Sequence, residues 1–338
     1  MSTGSEEAAD IVEACDTPRA GTSQVKQTPA QHSRAVLVGT LLALVSAVFY
    51  TLTNMCLRAA ANCDIYWVSC IKAAPTFVIA AALVASRVRR GAPTYPSHTI
   101  VAKLFLTGLV AHIGGNVAFQ YGLGVVGLAA AVPLTFSTII VGGAVLGRVF
   151  LHESITYRSA AAMGLLCASI ALLGWHTELA RPTESAARFD AWTTALAVGV
   201  TCASGLAYSI LGVVIRRMVT GAIDSSFVLL IISISGVLSL GLTSLYRLGP
   251  AGIAATGAED WNWMIWAGVF NAGGFFLLTK ALHLIPVAYV NVVNASQTAM
   301  AAVAGVLYFR ELTTAALAAG VALMLVGILL MERPRHQP

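Results

Sequence analysis

The chain has 338 residues, of which 57% are hydrophobic and only 10% are Asp, Glu, Lys or Arg. Ordinary soluble domains carry about 25% charged residues, so this chain has too little charge to cover a water-facing surface. The apolar content also excludes a disordered chain, and six cysteines are too few for a disulfide-rich secreted scaffold. The composition therefore indicates a polytopic membrane protein embedded in a lipid bilayer.

The first segment, residues 1–33, is polar and has no periodic apolar face. We predict that it is a disordered cytoplasmic tail. The first apolar stretch begins late and is a full span long, unlike the short core of a cleavable signal peptide. We therefore expect that stretch to remain as the first transmembrane helix.

The apolar residues gather into stretches long enough to cross a bilayer, which takes about 20 residues. The stretch 104–147 is long enough for two crossings and has a glycine-rich break at Gly122, Gly124 and Gly127, which predicts two helices joined by a tight hairpin. In total the sequence predicts ten transmembrane helices, in 35–57, 65–86, 104–147 (two helices), 159–175, 191–215, 225–246, 261–280, 286–309 and 312–331.

The basic residues predict the orientation, because cytoplasmic loops carry the excess of Lys and Arg. With the N-terminus inside, fourteen of the twenty basic residues lie on the cytoplasmic side and five on the other, and Lys72 lies within a span. This distribution favours both termini in the cytoplasm of a multi-pass protein of the cell membrane. The net charge of +5 then reports topology, and no basic, aromatic-interleaved surface indicates a nucleic acid partner.

An internal repeat appears when the chain is compared with itself at an offset of 158 residues. Two phrases, LHESIT ending at Thr156 and FRELTT ending at Thr314, are nearly equivalent. The repeat predicts two halves, at 34–176 and 191–332. The matched pairs are Ser46 with Ser204, Tyr50 with Tyr208, Arg58 with Arg216, Gly115 with Gly273, Gly147 with Gly305, and Glu153 with Glu311.

Five predicted spans in each half make the second half enter the membrane from the opposite side to the first. The predicted fold is therefore an all-α polytopic membrane protein of ten transmembrane helices in two inverted five-helix repeats. An inverted repeat allows one central site to open to one side of the membrane and then to the other. This arrangement favours alternating-access transport over a receptor or an anchor.

Three sequence segments resemble those of the EamA-like members of the drug/metabolite transporter superfamily. They are SAVFYTLTNMCLRAA (46–60), AFQYGLGVVGLAAAVPLTFSTIIVGGAVLGRVFLHESIT (118–156) and LIPVAYVNVVNASQTAMAAVAGVLYFRELT (284–313). In that family a helix with a polar or Pro middle is followed by a closing Glu, which here gives Pro133 with Glu153 and Asn291 with Glu311. Lys72 resembles the basic residue that the family carries early in its second helix, although Arg is commoner there.

Lys72 lies about seven residues into the second predicted helix, roughly 10 Å below its outer end at about 1.5 Å per residue. Polar residues at membrane depth are expensive and usually face a cavity or another helix. Lys72 could contact a substrate carboxylate or carry a coupling proton. Alternatively, its amine snorkels outward or ties helices together through backbone carbonyls.

Two polar stripes occur at membrane depth. His112, Asn116 and Gln120 share one face of the third predicted helix at spacing four. The ninth carries Asn291, Asn294 and Thr298, with Gln297 beside them. The stripes could line one central substrate path, with His112 as a proton carrier, or they could be interhelical hydrogen-bonding contacts.

The remaining candidate residues are two tyrosines, two glutamates and three cysteines, most of which we interpret as structural. Tyr50 and Tyr208, also candidates for the substrate site, are placed symmetrically in the two halves, which fits gating or, preferably, packing. Glu153 and Glu311 close short turns, where a carboxylate can bond the N–H groups at the start of the next helix, a structural role. Cys56, Cys63 and Cys70 have no accompanying His, so we interpret them as small apolar residues and predict no metal site.

The sequence thus predicts a secondary transporter and no enzyme, since the spans hold no Asp or Glu away from their ends. No ATP-binding or cofactor motif is present, so we expect a proton gradient or the substrate's own gradient to supply the energy. Lys72 favours a small organic metabolite with a carboxylate, such as an amino acid, and we expect export as the direction of transport. A nucleotide-sugar or lipid-linked carrier is the alternative, and the protein is expected to be a monomer or a homodimer.

Overall fold

A computed structural model describes residues 29–91, 96–126, 128–152, 155–179, 191–221, 223–308 and 315–330. Every regular element among these residues is a helix. We number the α-helices in chain order: α1 Pro29–Ala59, α2 Ile65–Arg89, α3 His98–Leu109, α4 Ala118–Val125, α5 Leu128–Leu151, α6 Tyr157–Leu179, α7 Ala191–Thr220, α8 Ser225–Ala254, α9 Ala258–Leu284, α10 Val287–Asn294, α11 Ser296–Tyr308 and α12 Ala315–Leu330. A π-helical segment, Val110–Val117, joins α3 to α4.

Seven helices in the described ranges are long and apolar enough to cross a membrane. They are Ser33–Ala59, Ile65–Arg89, His98–Val125, Ala131–Leu151, Ala195–Thr220, Ser225–Ala254 and Ala258–Leu284. The prediction of an all-helical polytopic membrane protein is confirmed. The predicted fifth, ninth and tenth spans are not among the seven, so the count of ten stays a prediction.

The predicted ninth span is interrupted, because α10 ends at Asn294 and α11 begins at Ser296. The predicted tenth span corresponds to α12, which has 16 residues. At the N-terminus, α1 begins at Pro29, inside the stretch predicted as tail, and the preceding part of that tail lies outside the described residues. Glu153 and Glu311 also lie outside them, so their predicted structural role stays a prediction.

Two ion pairs hold α2 against α8 at opposite ends. At the start of α2, Asp64 accepts hydrogen bonds from the backbone N–H groups of Tyr66 and Trp67, and its other carboxylate oxygen lies 3.2 Å from Arg247 Nε. At the other end, Arg87 Nη1 lies 2.5 Å from Asp224 Oδ2. These contacts fix α2 and α8 as antiparallel neighbours and place Asp64 and Asp224 at opposite ends of the bundle.

The helices enclose a central space and turn apolar side chains outward. α1 packs against α9, α7 packs against α5, and α6 pairs with α12 at the periphery. Exposed leucines and valines cover the outer faces of α1 and α8, including Leu37, Leu41, Leu238 and Leu242. An outward apolar surface suits contact with lipid chains, whereas the polar side chains are buried between the helices.

Candidate functional site

The polar side chains at membrane depth meet in one cavity, which is lined by residues of the π-helical segment and of α1, α2, α4, α5, α7, α8, α9, α10 and α11. Eight of the ten side chains predicted to bind substrate line it. They are Tyr50, Lys72, His112, Asn116, Tyr208, Asn291, Asn294 and Gln297. Gln120 and Thr298 do not.

Lys72 projects from α2 with only 7% of its surface exposed. Its Nζ donates a hydrogen bond of 2.7 Å to Asn116 Oδ1. Within the described ranges no carboxylate forms an ion pair with it. One turn further along α2, Thr76 also lines the cavity, and its hydroxyl is buried without a hydrogen-bond partner. The α2 side of the cavity therefore offers an amine and a hydroxyl with unused hydrogen-bonding capacity.

The π-helical segment supplies His112 and Asn116. Asn116 Nδ2 lies 2.8 Å from His112 Nδ1, and His112 Nε2 lies 3.1 Å from the carbonyl oxygen of Ile232. A carbonyl oxygen can only accept, so Nε2 carries the proton and Nδ1 accepts from the Asn116 amide. Both ring nitrogens are thus used by a neutral imidazole. Short π-helical segments often mark functional positions in membrane and soluble proteins.

Tyr208, on α7, completes this network by donating a hydrogen bond of 2.6 Å to Asn116 Oδ1. The Asn116 side chain therefore accepts from Lys72 and Tyr208 through its oxygen and donates to His112 through its nitrogen. Its amide orientation is fixed by three partners on three different elements. Tyr50, the predicted repeat mate of Tyr208, lines the same cavity from α1.

A second polar group of amides lies where α10 and α11 meet. Asn54 Nδ2 donates to Gln297 Oε1 at 3.4 Å, and Gln297 Nε2 donates to Asn294 Oδ1 at 3.4 Å. Asn294 Nδ2 is buried and has no hydrogen-bond partner. Nearby, Asn291 Nδ2 donates to the carbonyl oxygen of Ile139 at 3.4 Å. We call Asn54, Gln297 and Asn294 the amide chain.

Gln120 and Thr298 depart from the predicted stripes for a geometric reason. The π-helical segment winds less per residue than an α-helix, so the face shared by His112 and Asn116 does not continue to Gln120, whose Nε2 donates to the carbonyl oxygen of Leu57 instead. The interruption at Ala295 likewise changes the register between Asn294 and Thr298. Both side chains are buried outside the cavity.

Glycines on facing helices give the site room. A Cβ at Gly236 of α8 would lie no more than 2.6 Å from three atoms of the His112 ring. A Cβ at Gly115 would lie 2.8 Å from the Tyr208 ring. Real Cβ atoms do not approach other atoms so closely, so only glycine lets these rings occupy their observed places. The sequence interpretation of the span glycines as close helix packing did not identify these particular partners.

Thr76, Asn271 and Ser233 line the cavity but were not predicted. Thr76 could have been found from its spacing of four from Lys72, the same rule that identified the stripe of His112 and Asn116. Asn271 and Ser233 are isolated polar residues in apolar helices, and their sequence positions carry no comparable signal. Among the described lining residues there is one Lys, no Arg and no Asp or Glu.

The comparisons with known proteins agree with this architecture. The model of the EamA-like transporter family matches residues 195–333. This family is part of the drug/metabolite transporter superfamily, so the resemblance noted in the sequence is confirmed. The match suits the multi-pass helical architecture, and a membrane transporter of small molecules is the function that this family suggests.

One solved structure, described only as a crystal structure of a protein, superposes on this chain with a TM-score of 0.66. The superposition covers 86% of this chain and 96% of the other, at 13% sequence identity. At that identity the similarity concerns the fold alone. No curated protein matches the chain in sequence.

Proposed function

We propose that this protein is a secondary transporter that moves a small organic carboxylate, an amino acid or a related acid, across the cytoplasmic membrane by alternating access, in the direction of export. Both termini lie in the cytoplasm, and the two halves, 34–176 and 191–332, form inverted five-helix repeats. Protons or the substrate gradient drive the cycle.

One observation carries the substrate class: Lys72 is a buried amine in a central cavity whose described lining holds no acidic side chain. A buried cation without an opposite charge is strongly disfavoured. A substrate carboxylate would supply that charge when it binds, and the Thr76 hydroxyl one turn away would donate a further hydrogen bond. The same set of donors offers nothing to a cationic substrate such as a polyamine.

Equivalent contacts in the two halves support the internal repeat. Arg58 donates to the carbonyl oxygen of Leu123, and Arg216, its predicted mate, donates to that of Leu282. The acceptors are separated by 159 residues, close to the repeat offset of 158. Helix packing is also equivalent in the two halves. In the first half α1 contacts α9, and its predicted repeat mate α7 contacts the π-helical segment and α4, which lie in the predicted repeat mate of α9.

The alternative, a nucleotide-sugar or lipid-linked carrier, calls for a wider and more basic cavity to hold phosphate groups. A single Lys and no Arg among the described lining residues favours one carboxylate over a diphosphate. The panel for the first experiment therefore includes amino acids, organic acids, polyamines and nucleotide sugars, each tested for thermal stabilisation of the purified protein.

Three variants test the role of Lys72. Lys72→Leu should abolish carboxylate-dependent stabilisation and transport in proteoliposomes, whereas Lys72→Arg should retain part of both. Asn116→Asp would place a carboxylate beside the amine and compete with the substrate, so affinity should fall at least about tenfold. Transport by a well-inserted Lys72→Leu variant at the parent rate would overturn the proposal.

A further inference from the structure

The amide chain lies in the same cavity as Lys72 but belongs to different helices, with Asn54 on α1, Asn294 on α10 and Gln297 on α11. All three are more than nine-tenths buried, with 7%, 4% and 3% of their surfaces exposed. Two hydrogen bonds link them in series. Such a linked set has a defined direction, since each amide donates to the oxygen of the next.

The ends of the amide chain have unused hydrogen-bonding atoms. Asn294 Nδ2 is a buried donor without a partner. At the other end, Asn54 Oδ1 accepts no hydrogen bond from the described residues. Turning all three amides over would exchange the ends but would still leave one donor and one acceptor. A buried donor without a partner is costly, and because Asn294 lines the cavity, a ligand bound there would satisfy it.

We propose that the amide chain is a second subsite, which binds an uncharged hydrogen-bonding group of the substrate while Lys72 binds its carboxylate. This inference rests on the proposed transport of a carboxylate. A hydroxyl or a carboxamide fits the subsite, because each can both donate and accept a hydrogen bond. The substrate is thus a carboxylate with a neutral polar group at its other end.

The charge of the lining supports an uncharged group. An ammonium would need a nearby carboxylate or several free acceptors, and the described lining has no acidic side chain. A second carboxylate would need a second cation, and Lys72 is the only Lys or Arg among the described lining residues. Carboxamide side chains bind neutral groups without either cost.

Three probes of equal chain length separate these possibilities: butanoate, 4-hydroxybutanoate and 4-aminobutanoate. Their affinities are measured by isothermal titration calorimetry on the purified, full-length protein. We expect 4-hydroxybutanoate to bind about tenfold more tightly than butanoate, the gain expected from one or two neutral hydrogen bonds. We expect 4-aminobutanoate to bind more weakly than 4-hydroxybutanoate, and the opposite order would overturn the inference.

Variants of the amide chain then test which residues cause the preference for 4-hydroxybutanoate over butanoate. Asn294→Leu keeps a similar volume and removes the free donor, so butanoate should bind at least as tightly as 4-hydroxybutanoate. Asn54→Leu tests the other end of the amide chain and serves if the first variant fails to fold. Ser296→Ala is the matched control, since this hydroxyl lies beside Asn294 in sequence, has no partner and does not line the cavity. It should keep the wild-type ratio.

The outcomes distinguish the two proposals. If butanoate binds, Lys72→Leu removes that binding, and the hydroxyl gives no gain, the carboxylate proposal survives and the second subsite is wrong. An unchanged ratio of affinities in both Asn294→Leu and Asn54→Leu also overturns the subsite. If none of the three probes binds, the second subsite is wrong, and if no amino acid or organic acid of the panel stabilises the protein either, the assignment of a carboxylate substrate fails as well.

Discussion

His112 illustrates how much one side chain's role depends on its partners. Its ring is neutral because Nε2 donates to the Ile232 carbonyl and Nδ1 accepts from Asn116. Protonation of Nδ1 would require the Asn116 amide to turn over, which would remove its oxygen from Lys72 and Tyr208. Any proton carried by His112 would thus change the hydrogen bonding of Lys72. Proton coupling stays a prediction.

Gly236 gives a residue-scale prediction. Gly236→Ala would force the added methyl into the His112 ring and break the hydrogen bond to Ile232, so carboxylate affinity should fall about tenfold. Binding to the purified variant is measured by calorimetry. Gly241→Ala is the control on the same helix, because its Cβ would meet Cys70 Sγ at an ordinary 3.5 Å. Equal affinity in the two variants would contradict this account.

The candidate site was predictable from sequence where polar residues interrupt apolar helices. Lys72, His112 and Asn116 were found in this way, because a polar side chain at membrane depth needs a specific reason. Gln120 does not line the cavity, because regular α-helical spacing does not continue across the π-helical segment. Nothing in the sequence VAHIGGNV marks that segment as π-helical.

Among the elements, α8 is preceded by Asp224, which both caps the helix and forms an ion pair. Asp224 accepts a hydrogen bond of 2.9 Å from the Ser226 backbone N–H, and its other oxygen pairs with Arg87. The Arg87 side chain is half exposed, so the ion pair alone contributes little. The cap at the start of α8 contributes more, typically about 1 kcal/mol.

The expected ranking follows from these two tasks. Asp224→Ala should lower the free energy of unfolding by about 1–2 kcal/mol, because both the cap and the ion pair are lost. Arg87→Ala and Asp224→Asn should each lower it by less than about 1 kcal/mol, since both keep a capping side chain. Thermal or denaturant unfolding in detergent measures the order. A larger loss in Arg87→Ala than in Asp224→Ala would contradict it.

The interruption between α10 and α11 was not predictable at this scale. The residues around Ala295 include no Pro or Gly, and the sequence reads as one apolar span from 286 to 309. Local propensity therefore gave no reason to divide it. Asn294 and Gln297 lie on either side of Ala295, and their hydrogen bond is the ordinary contact of residues three apart on a helix.

At the scale of the whole molecule, orientation can be tested at Cys63, in the short connection between α1 and α2. Burial, with the nearby Asp260 carboxylate, raises the pKa of its thiol to about 11. The reactive thiolate is scarce at neutral pH and should increase about tenfold per pH unit below that value. The proposed orientation places this connection outside the cell.

A variant that retains Cys63 as its only cysteine should be labelled by a membrane-impermeant maleimide in intact cells, faster at pH 9 than at pH 8. Asp260→Asn should raise the labelling rate at either pH, because the carboxylate no longer disfavours the thiolate. Labelling that requires permeabilised cells would reverse the proposed orientation. An equal rate at both pH values would contradict the raised pKa.

The glycines that face the two tyrosines have a consequence for sequence variation. The ring of Tyr208 in the second half packs against Gly115 of the first half, and the ring of Tyr50 in the first half packs against Gly274 of the second. Each half therefore limits the size of a residue in the other. Among homologues, a larger residue at position 115 should occur together with a smaller one at position 208, and positions 274 and 50 should covary in the same way. Substitutions at these contacts in one half would then be accepted only together with compensating substitutions in the other half.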